Sequence, residues 1–222
     1  MPTRPVTLVL SIVVLLLTAA NLVGLYFTYH LNHGNLMGLI PLFDLDTEGN
    51  LPTLYQAVAL LLASVLLVEI AFVKKKEKDR YVNHWSILAS IFAFLSLDEW
   101  MEIHEMSIEP LRSTFKATGI FYFSWVIPAA PIVFIVGLAY SRFLFDIPKK
   151  TMLLFMVAGS LFIAGALGME MVGGHLSSLY GERNLRYALI TTGEEVLEMA
   201  GVIVFIHALL DHRAMLLSRT EI

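Results

Sequence analysis

The sequence predicts an all-α polytopic membrane protein, a bundle of six transmembrane helices with both termini in the cytoplasm. Of its 222 residues, 57% are hydrophobic and only 15% are charged, whereas soluble proteins average about 25% charged residues. The mean hydropathy is +0.73. A span needs about 20 apolar residues, so the chain has room for about six spans and short connections. Residues 1–222 are therefore predicted to form a single transmembrane domain.

The predicted spans are apolar runs that end at polar or charged sequence. The second run ends at the strongly basic segment 74–80, and the fourth contains Pro128 and Pro131, which are expected to kink it. The longest connection, residues 30–52, joins the first two spans and is rich in Gly, Asn and Asp. The boundaries predicted from the sequence are residues 5–29, 53–73, 83–105, 121–145, 151–175 and 185–212.

The basic residues predict the orientation of the bundle, because cytoplasmic loops of membrane proteins carry an excess of Lys and Arg. With the N-terminus in the cytoplasm, eleven of the 15 Lys and Arg residues lie on the cytoplasmic side. Those left outside are Arg112, Lys116, Arg183 and Arg186. An even number of spans returns the C-terminus to the cytoplasm. The predicted location is a plasma or inner membrane, which the chain crosses several times.

Acidic residues interrupt three of the predicted spans, and this topology places them at one depth. The third and fifth spans run outward, so residues 98–105, Glu170 and His175 fall in the outer third of the membrane. The sixth span runs inward, and residues 194–198 lie near its start, which is again the outer third. Ionisable residues inside a membrane are costly and usually functional. The sequence therefore predicts an acidic site in the outer half of the membrane.

The acidic side chains form faces on these spans. On an ideal helix Asp98, Glu102 and Glu105 share an arc of about 60°. His104 points about 100° away from Glu105 and reaches the same ion only if the helix end unwinds. Packing spans three, five and six with their acidic faces inward would bring the ligands together. The candidate metal ligands are Asp98, Glu99, Glu102, His104, Glu105, Glu170, His175, Glu194, Glu195 and Glu198.

Charge balance favours bound cations at this site. Eight carboxylates share the layer with only four basic residues in the outer loops, and like charges in contact cannot all ionise. Carboxylates with imidazole and no sulfur favour one or more divalent ions, iron, manganese or zinc rather than calcium. The absence of Cys excludes thiolate ligands and iron–sulfur clusters. No broad basic face indicates nucleic-acid binding.

Simpler interpretations stay open for several residues. Acids at helix ends often lie in headgroup water, which applies most to Glu105 and His175. The helix dipole favours carboxylates such as Glu194 at an N-terminus. Trp125 is typical of the aromatic belt at a membrane interface. The connection 30–52 lies on the same side of the membrane as the site, where it is placed to cap it.

Three functions are compatible with such a site. The first is a membrane-embedded metalloenzyme, an oxidoreductase or hydrolase acting on a lipid-soluble substrate. The second is a proton- or cation-translocating protein that uses the same carboxylates. The third is a non-catalytic subunit of a larger membrane complex with a structural ion site. The sequence identifies no catalytic residue. The expected partners are the lipid bilayer and a lipid-soluble substrate, and a homo- or hetero-oligomer is left open.

Overall fold

The computed structural model describes residues 3–220, with side chains to residue 218, and within this range it is helical and contains no strand. Two 3₁₀ turns, Leu36–Gly38 and Gly119–Phe121, lie in the connections, and a π-helical segment, Ala164–Met169, joins α7 to α8. The α-helices are α1 Thr3–His30, α2 Leu39–Phe43, α3 Leu51–Lys76, α4 Val82–Met101, α5 Ile103–Phe115, α6 Val126–Asp146, α7 Lys149–Ile163, α8 Glu170–Tyr180 and α9 Leu185–Thr220.

Five helical segments are long and apolar enough to cross a membrane. By length and composition, they are consistent with a multi-pass α-helical membrane protein. The predicted third span, 83–105, is not among them, because α4 ends at Met101 and carries polar residues at both ends. A sixth span therefore stays a prediction. The five segments are Thr3–His30, Leu51–Lys76, Val126–Asp146, Lys149–Tyr180 and Leu185–Ser218.

Helix α9 is the centre of the bundle, with α1, α3, α7, α8 and the π segment packed around it. Leu67 and Ile70 of α3 and Ile206 and Leu209 of α9 are completely buried in the main core. The outer helices α1 and α6 instead leave large apolar side chains exposed. Such exposed apolar faces are expected where a helix meets lipid.

Helix α4 lies along α3 and is fixed to it by two hydroxyl groups. Ser64 Oγ of α3 donates to the carbonyl of Ala89 at 2.8 Å, and Ser96 Oγ of α4 donates to the carbonyl of Ala57 at 2.8 Å. Small residues and hydroxyl–backbone hydrogen bonds are the usual means of close helix packing in a membrane. Through α3, α4 is held at a fixed register beside α9.

The acidic sequence predicted to end the third span is broken into two helices. Glu102 has the left-handed conformation, with φ 57° and ψ 36°, so α4 stops and α5 starts in a new direction. Asp98 stabilises the break, because its Oδ1 accepts a hydrogen bond from the backbone N–H of His104 at 2.9 Å. The expected straight stripe of Asp98, Glu102 and Glu105 is therefore not present.

Glycine in place of Glu102 is expected to stabilise the protein, because a left-handed backbone strains a residue that has a Cβ atom. The gain should be about 1 kcal/mol in the free energy of unfolding. The measurement is thermal unfolding of the purified protein in detergent. Alanine at the same position removes the carboxylate but keeps the Cβ atom. An equal gain in both variants would assign the effect to lost charge and contradict backbone strain.

Candidate metal centre

Three side chains from two parts of the chain form a group that could hold a metal ion. Glu48 lies in the loop before α3, and His104 and Glu105 lie in the first turn of α5. One potential ligand atom from each lies within 4.8 Å of the other two. Two carboxylate oxygens and an imidazole nitrogen suit a first-row divalent ion.

Asp98 fixes the orientation of the His104 ring. Its Oδ2 lies 3.0 Å from His104 Nδ1, and its Oδ1 binds the backbone N–H of the same residue. Both residues are largely buried, with 16% of the Asp98 side chain and 25% of the His104 side chain exposed. With Nδ1 engaged, Nε2 is the ring nitrogen left for an ion. A metal-binding histidine commonly has its second nitrogen held by a carboxylate in this way.

Glu48 is positioned by a compact turn at the start of α3. Asn50 caps the helix, since its side-chain oxygen accepts from the backbone N–H of Thr53 at 3.2 Å. The Asn50 amide nitrogen donates to the carbonyls of Asp44 and Thr47, both at 2.6 Å. Thr53 Oγ1 then donates to Glu48 Oε2 at 3.0 Å. The turn thus leaves the second oxygen of Glu48 available for other contacts.

The same loop is tied to α1 and α9 through Asn21. This residue is 2% exposed; its oxygen accepts from the backbone N–H of Leu45 at 3.2 Å, and its amide donates to Thr192 Oγ1 at 2.9 Å. The Asp46 carboxyl group lies beside the hydroxyl groups of Tyr187 and Thr191 of α9. The loop therefore closes over the end of the bundle at which α9 begins.

Burial of the loop disfavours the ionised form of its carboxyl groups. Burial raises the pKa of Asp46 to about 7. The negative charge of the neighbouring Asp44 also raises this pKa, whereas the hydroxyl groups of Tyr187 and Thr191 lower it. Burial also raises the pKa of Glu48, as does the charge of Glu105, although the Thr53 hydroxyl acts in the opposite direction. A cation beside Glu48 and Glu105 would stabilise their ionised forms.

Trp125 connects the centre to α8. Its indole Nε1–H donates to Glu170 Oε1 at 2.6 Å, and its ring centroid lies 5.1 Å from that of His104. Glu170 opens α8 directly after the π segment, an irregularity that is frequent at functional sites. The carboxyl groups of Glu170 and Glu194 lie close enough to interact with each other.

The remaining acids of α4 and α9 lie deeper. Glu99, Glu195 and Glu198 are within electrostatic range of one another and of Glu48. The π segment approaches these residues closely, since a Cβ atom on Gly165 would lie 2.7 Å from Glu198 Cγ. The π segment therefore packs directly against α9 at Glu194 and Glu198, and the convergence of these acids with those of α4 stays a prediction.

Of the ten predicted ligands, only His104 and Glu105 belong to the three-residue group. Glu102 occupies the helix break, and His175 is exposed on α8, where its Nδ1 would be 3.9 Å from a Cβ atom on Gly119. The structure places Asp98 against His104, and Glu99, Glu170, Glu194, Glu195 and Glu198 in the neighbouring acidic layer. Metal ligation by any of these residues stays a prediction.

Sequence reasoning missed two residues at the centre. Glu48 was passed over because it lies in a connection, although the sequence Glu48-Gly49-Asn50-Leu51-Pro52-Thr53 carries a helix-capping Asn. Trp125 was assigned to the membrane interface, where tryptophan is common, and its bond to Glu170 depends on tertiary packing. The sequence predicts that His104 reaches the same ion as Glu105 only if the helix end unwinds. The structure has a helix break at this place, at Glu102.

Comparison with known proteins gave one family. No curated protein and no solved structure matches the chain. A family model described as a domain of unknown function (DUF8692) matches residues 7–213, a range that includes every residue of the acidic layer and of the centre. The chain belongs to this family, DUF8692.

Proposed function

We propose that the protein is a membrane-embedded metalloprotein that binds a divalent transition-metal ion through Glu48, His104 and Glu105. The observation that carries the proposal is the His104 ring, which Asp98 holds by Nδ1 while the carboxylates of Glu48 and Glu105 lie within 4.8 Å of its potential ligand atom. A solvated surface histidine has no need of such an arrangement. Mixed oxygen and nitrogen ligation favours iron, manganese or zinc.

The chemistry we propose is metal-dependent oxidation or hydrolysis of a lipid-soluble substrate. Three protein ligands leave further coordination positions open, as in catalytic metal sites. A bound ion would supply Lewis acidity or redox chemistry. Glu170 lies within electrostatic range of His104, so it is placed to donate or accept a proton there. Trp125 would hold Glu170 in this position.

The membrane topology is part of the proposal. We propose six spans, with α4 as the third and both termini in the cytoplasm. The bias of Lys and Arg supports this orientation, and the hydroxyl bonds of Ser64 and Ser96 support α4 as an intramembrane neighbour of α3. The metal centre would then lie on the non-cytoplasmic side of the membrane, where a substrate in the outer leaflet has access to it.

Elemental analysis of the full chain purified in detergent tests the proposal. The wild-type protein should carry about one equivalent of transition metal, and a Glu48→Gln, His104→Ala double variant should lose at least about nine-tenths of it. Glu109→Gln is the matched control, because Glu109 lies on the same helix with 79% of its side chain exposed and pairs with Arg112. The control should keep the metal. A metal-free wild type, or a double variant that retains its metal, would contradict the proposal.

A further inference from the structure

We infer that residues 31–43, a segment that contains α2, are inserted into the membrane surface beside α1 and covered by lipid. The partner of this segment is the boundary between phospholipid headgroups and acyl chains, in the leaflet where α1 ends. The inference goes beyond the proposed function, because it needs no metal ion. The sequence predicts only a connection between two spans at this place.

The segment has the composition of a surface that contacts apolar material. Residues 31–43 contain no Asp, Glu, Lys or Arg, whereas residues 44–50 contain three acids. Met37 is 99% exposed, more than any other large apolar side chain among the described residues. Exposed apolar patches mark contacts with a membrane or with another protein. The other exposed apolar side chains of the segment are Leu31, Leu36, Leu39 and Leu42.

A turn with left-handed backbone carries Met37. Leu36, Met37 and Gly38 have φ angles of 41°, 57° and 86° in succession. Asn35 holds this turn, since its Oδ1 accepts a hydrogen bond from the backbone N–H of Gly38 at 2.7 Å. The backbone carbonyl of Asn35 also accepts from the N–H of Ile40 at 3.3 Å. Left-handed residues with a Cβ atom persist only where the surrounding structure requires them, so the exposed position of Met37 is built into the turn.

Contacts with α1 determine how deep the segment lies. Ile40 packs against Gly24, because a Cβ atom at Gly24 would lie 3.4 Å from Ile40 Cγ2. The backbone N–H of Leu45 donates to Asn21 Oδ1 at 3.2 Å. Helix α1 ends at His30 and rises about 1.5 Å per residue, so Gly24 and Asn21 lie about 9 and 14 Å from that end. The chain that follows α1 therefore folds back along this helix.

The length of α1 places this contact near the membrane surface. Its 28 residues correspond to about 42 Å, which matches the roughly 40–45 Å thickness of a bilayer with its headgroups. The level of Gly24, about 9 Å from the end of α1, therefore lies near the boundary between headgroups and acyl chains. Interfacial segments bury their apolar side chains about 5–10 Å deep at this boundary.

The surface of α1 at this level identifies lipid as the partner. Helix α1 is long and apolar enough to cross a membrane. Leu22, Val23 and Tyr26 flank Gly24, and all three are exposed. In a helix that crosses a membrane such side chains meet lipid, and Tyr is typical of the headgroup level. Because α2 lies against α1 at the same level, its exposed apolar side chains meet the same surroundings.

The inserted segment is joined to the turn that carries Glu48. Asn50 Nδ2 donates to the carbonyl of Pro41 in α2 at 3.4 Å, and to the carbonyl of Asp44 at 2.6 Å. Leu45, which follows, is buried in the bundle. The segment, residues 44–50 and the start of α3 therefore form one unit. Lipid contact by α2 would hold this unit against the end of the bundle.

Fluorescence quenching of single-cysteine variants of the full chain in lipid nanodiscs tests the inference. The chain contains no Cys, so one fluorophore reports one position. On Met37→Cys, it should lose about half of its emission or more in nanodiscs with brominated acyl chains, and much less with iodide, a quencher dissolved in water. Lys78→Cys is the matched control, because Lys78 is also exposed and left-handed, with φ 54°, but lies in the basic connection between α3 and α4. Iodide should be the stronger quencher there.

A second variant covers the case in which Met37→Cys does not fold. Leu39→Cys labels the first residue of α2 and should respond to the two quenchers in the same way. Stronger quenching by iodide than by brominated lipid at either position would place the segment in water and overturn the inference. A label that neither quencher reaches would show that protein, such as a second copy of the chain, covers the segment, and would overturn it as well. These results do not depend on bound metal, so a metal-free protein would refute the proposed function and leave this inference standing.

Discussion

Replacement of Asp98 by alanine is expected to weaken transition-metal binding about 10- to 100-fold, the usual effect of losing a carboxylate that holds a metal-binding histidine. Both oxygens of Asp98 contact His104, one at Nδ1 and one at the backbone N–H. Alanine would free the imidazole to rotate and to adopt the wrong tautomer, and it would remove the bond that supports the start of α5. The measurement is a metal titration of the purified protein.

Asparagine at position 98 separates an orienting role from direct ligation. Its side-chain oxygen can still accept one hydrogen bond from His104, so we expect an affinity between those of the wild type and the alanine variant. Asp146→Asn is the control, because Asp146 pairs with Arg80 at the opposite end of the protein. If Asn and Ala weaken binding equally, the orienting role is contradicted and direct ligation by Asp98, the sequence prediction, is favoured.

The sequence predicts which helices bring their acids together, and that convergence stays a prediction. Helix direction and periodicity predict the depth and face of Glu99, Glu170 and Glu198, from apolar run lengths and the basic loops. These are local properties of the chain. The helical character of the protein and its apolar segments could be predicted for the same reason.

The contacts that form the candidate centre could not be predicted in this way. The break at Glu102 requires a left-handed residue that sequence preferences disfavour, and it is stabilised by Asp98 only once His104 has turned towards it. Glu48 reaches the centre through a loop whose path depends on Asn21 and Asn50. Helix α4 differs from the five long apolar helices for a related reason, because polar residues such as Asp98 and Glu99 make it less apolar than an ordinary span.

Alanine in place of Gly165 is expected to destabilise the protein and to displace the acidic layer. A Cβ atom at this position would lie 2.8 Å from the backbone oxygen of Glu194 and 2.7 Å from Glu198 Cγ. The first of these contacts is with backbone, so the π segment and α9 would have to separate. Overpacking of this kind costs about 1–3 kcal/mol. Thermal unfolding in detergent measures the loss.

Gly159→Ala is the matched control for this prediction. Gly159 lies in α7, and no atom lies within 4 Å of a Cβ atom placed there. Alanine favours a helix over glycine by up to about 1 kcal/mol, so this variant should be at least as stable as the wild type. A Gly165→Ala protein with wild-type stability would mean that the helices separate without cost, and that their close approach does not position the carboxylates.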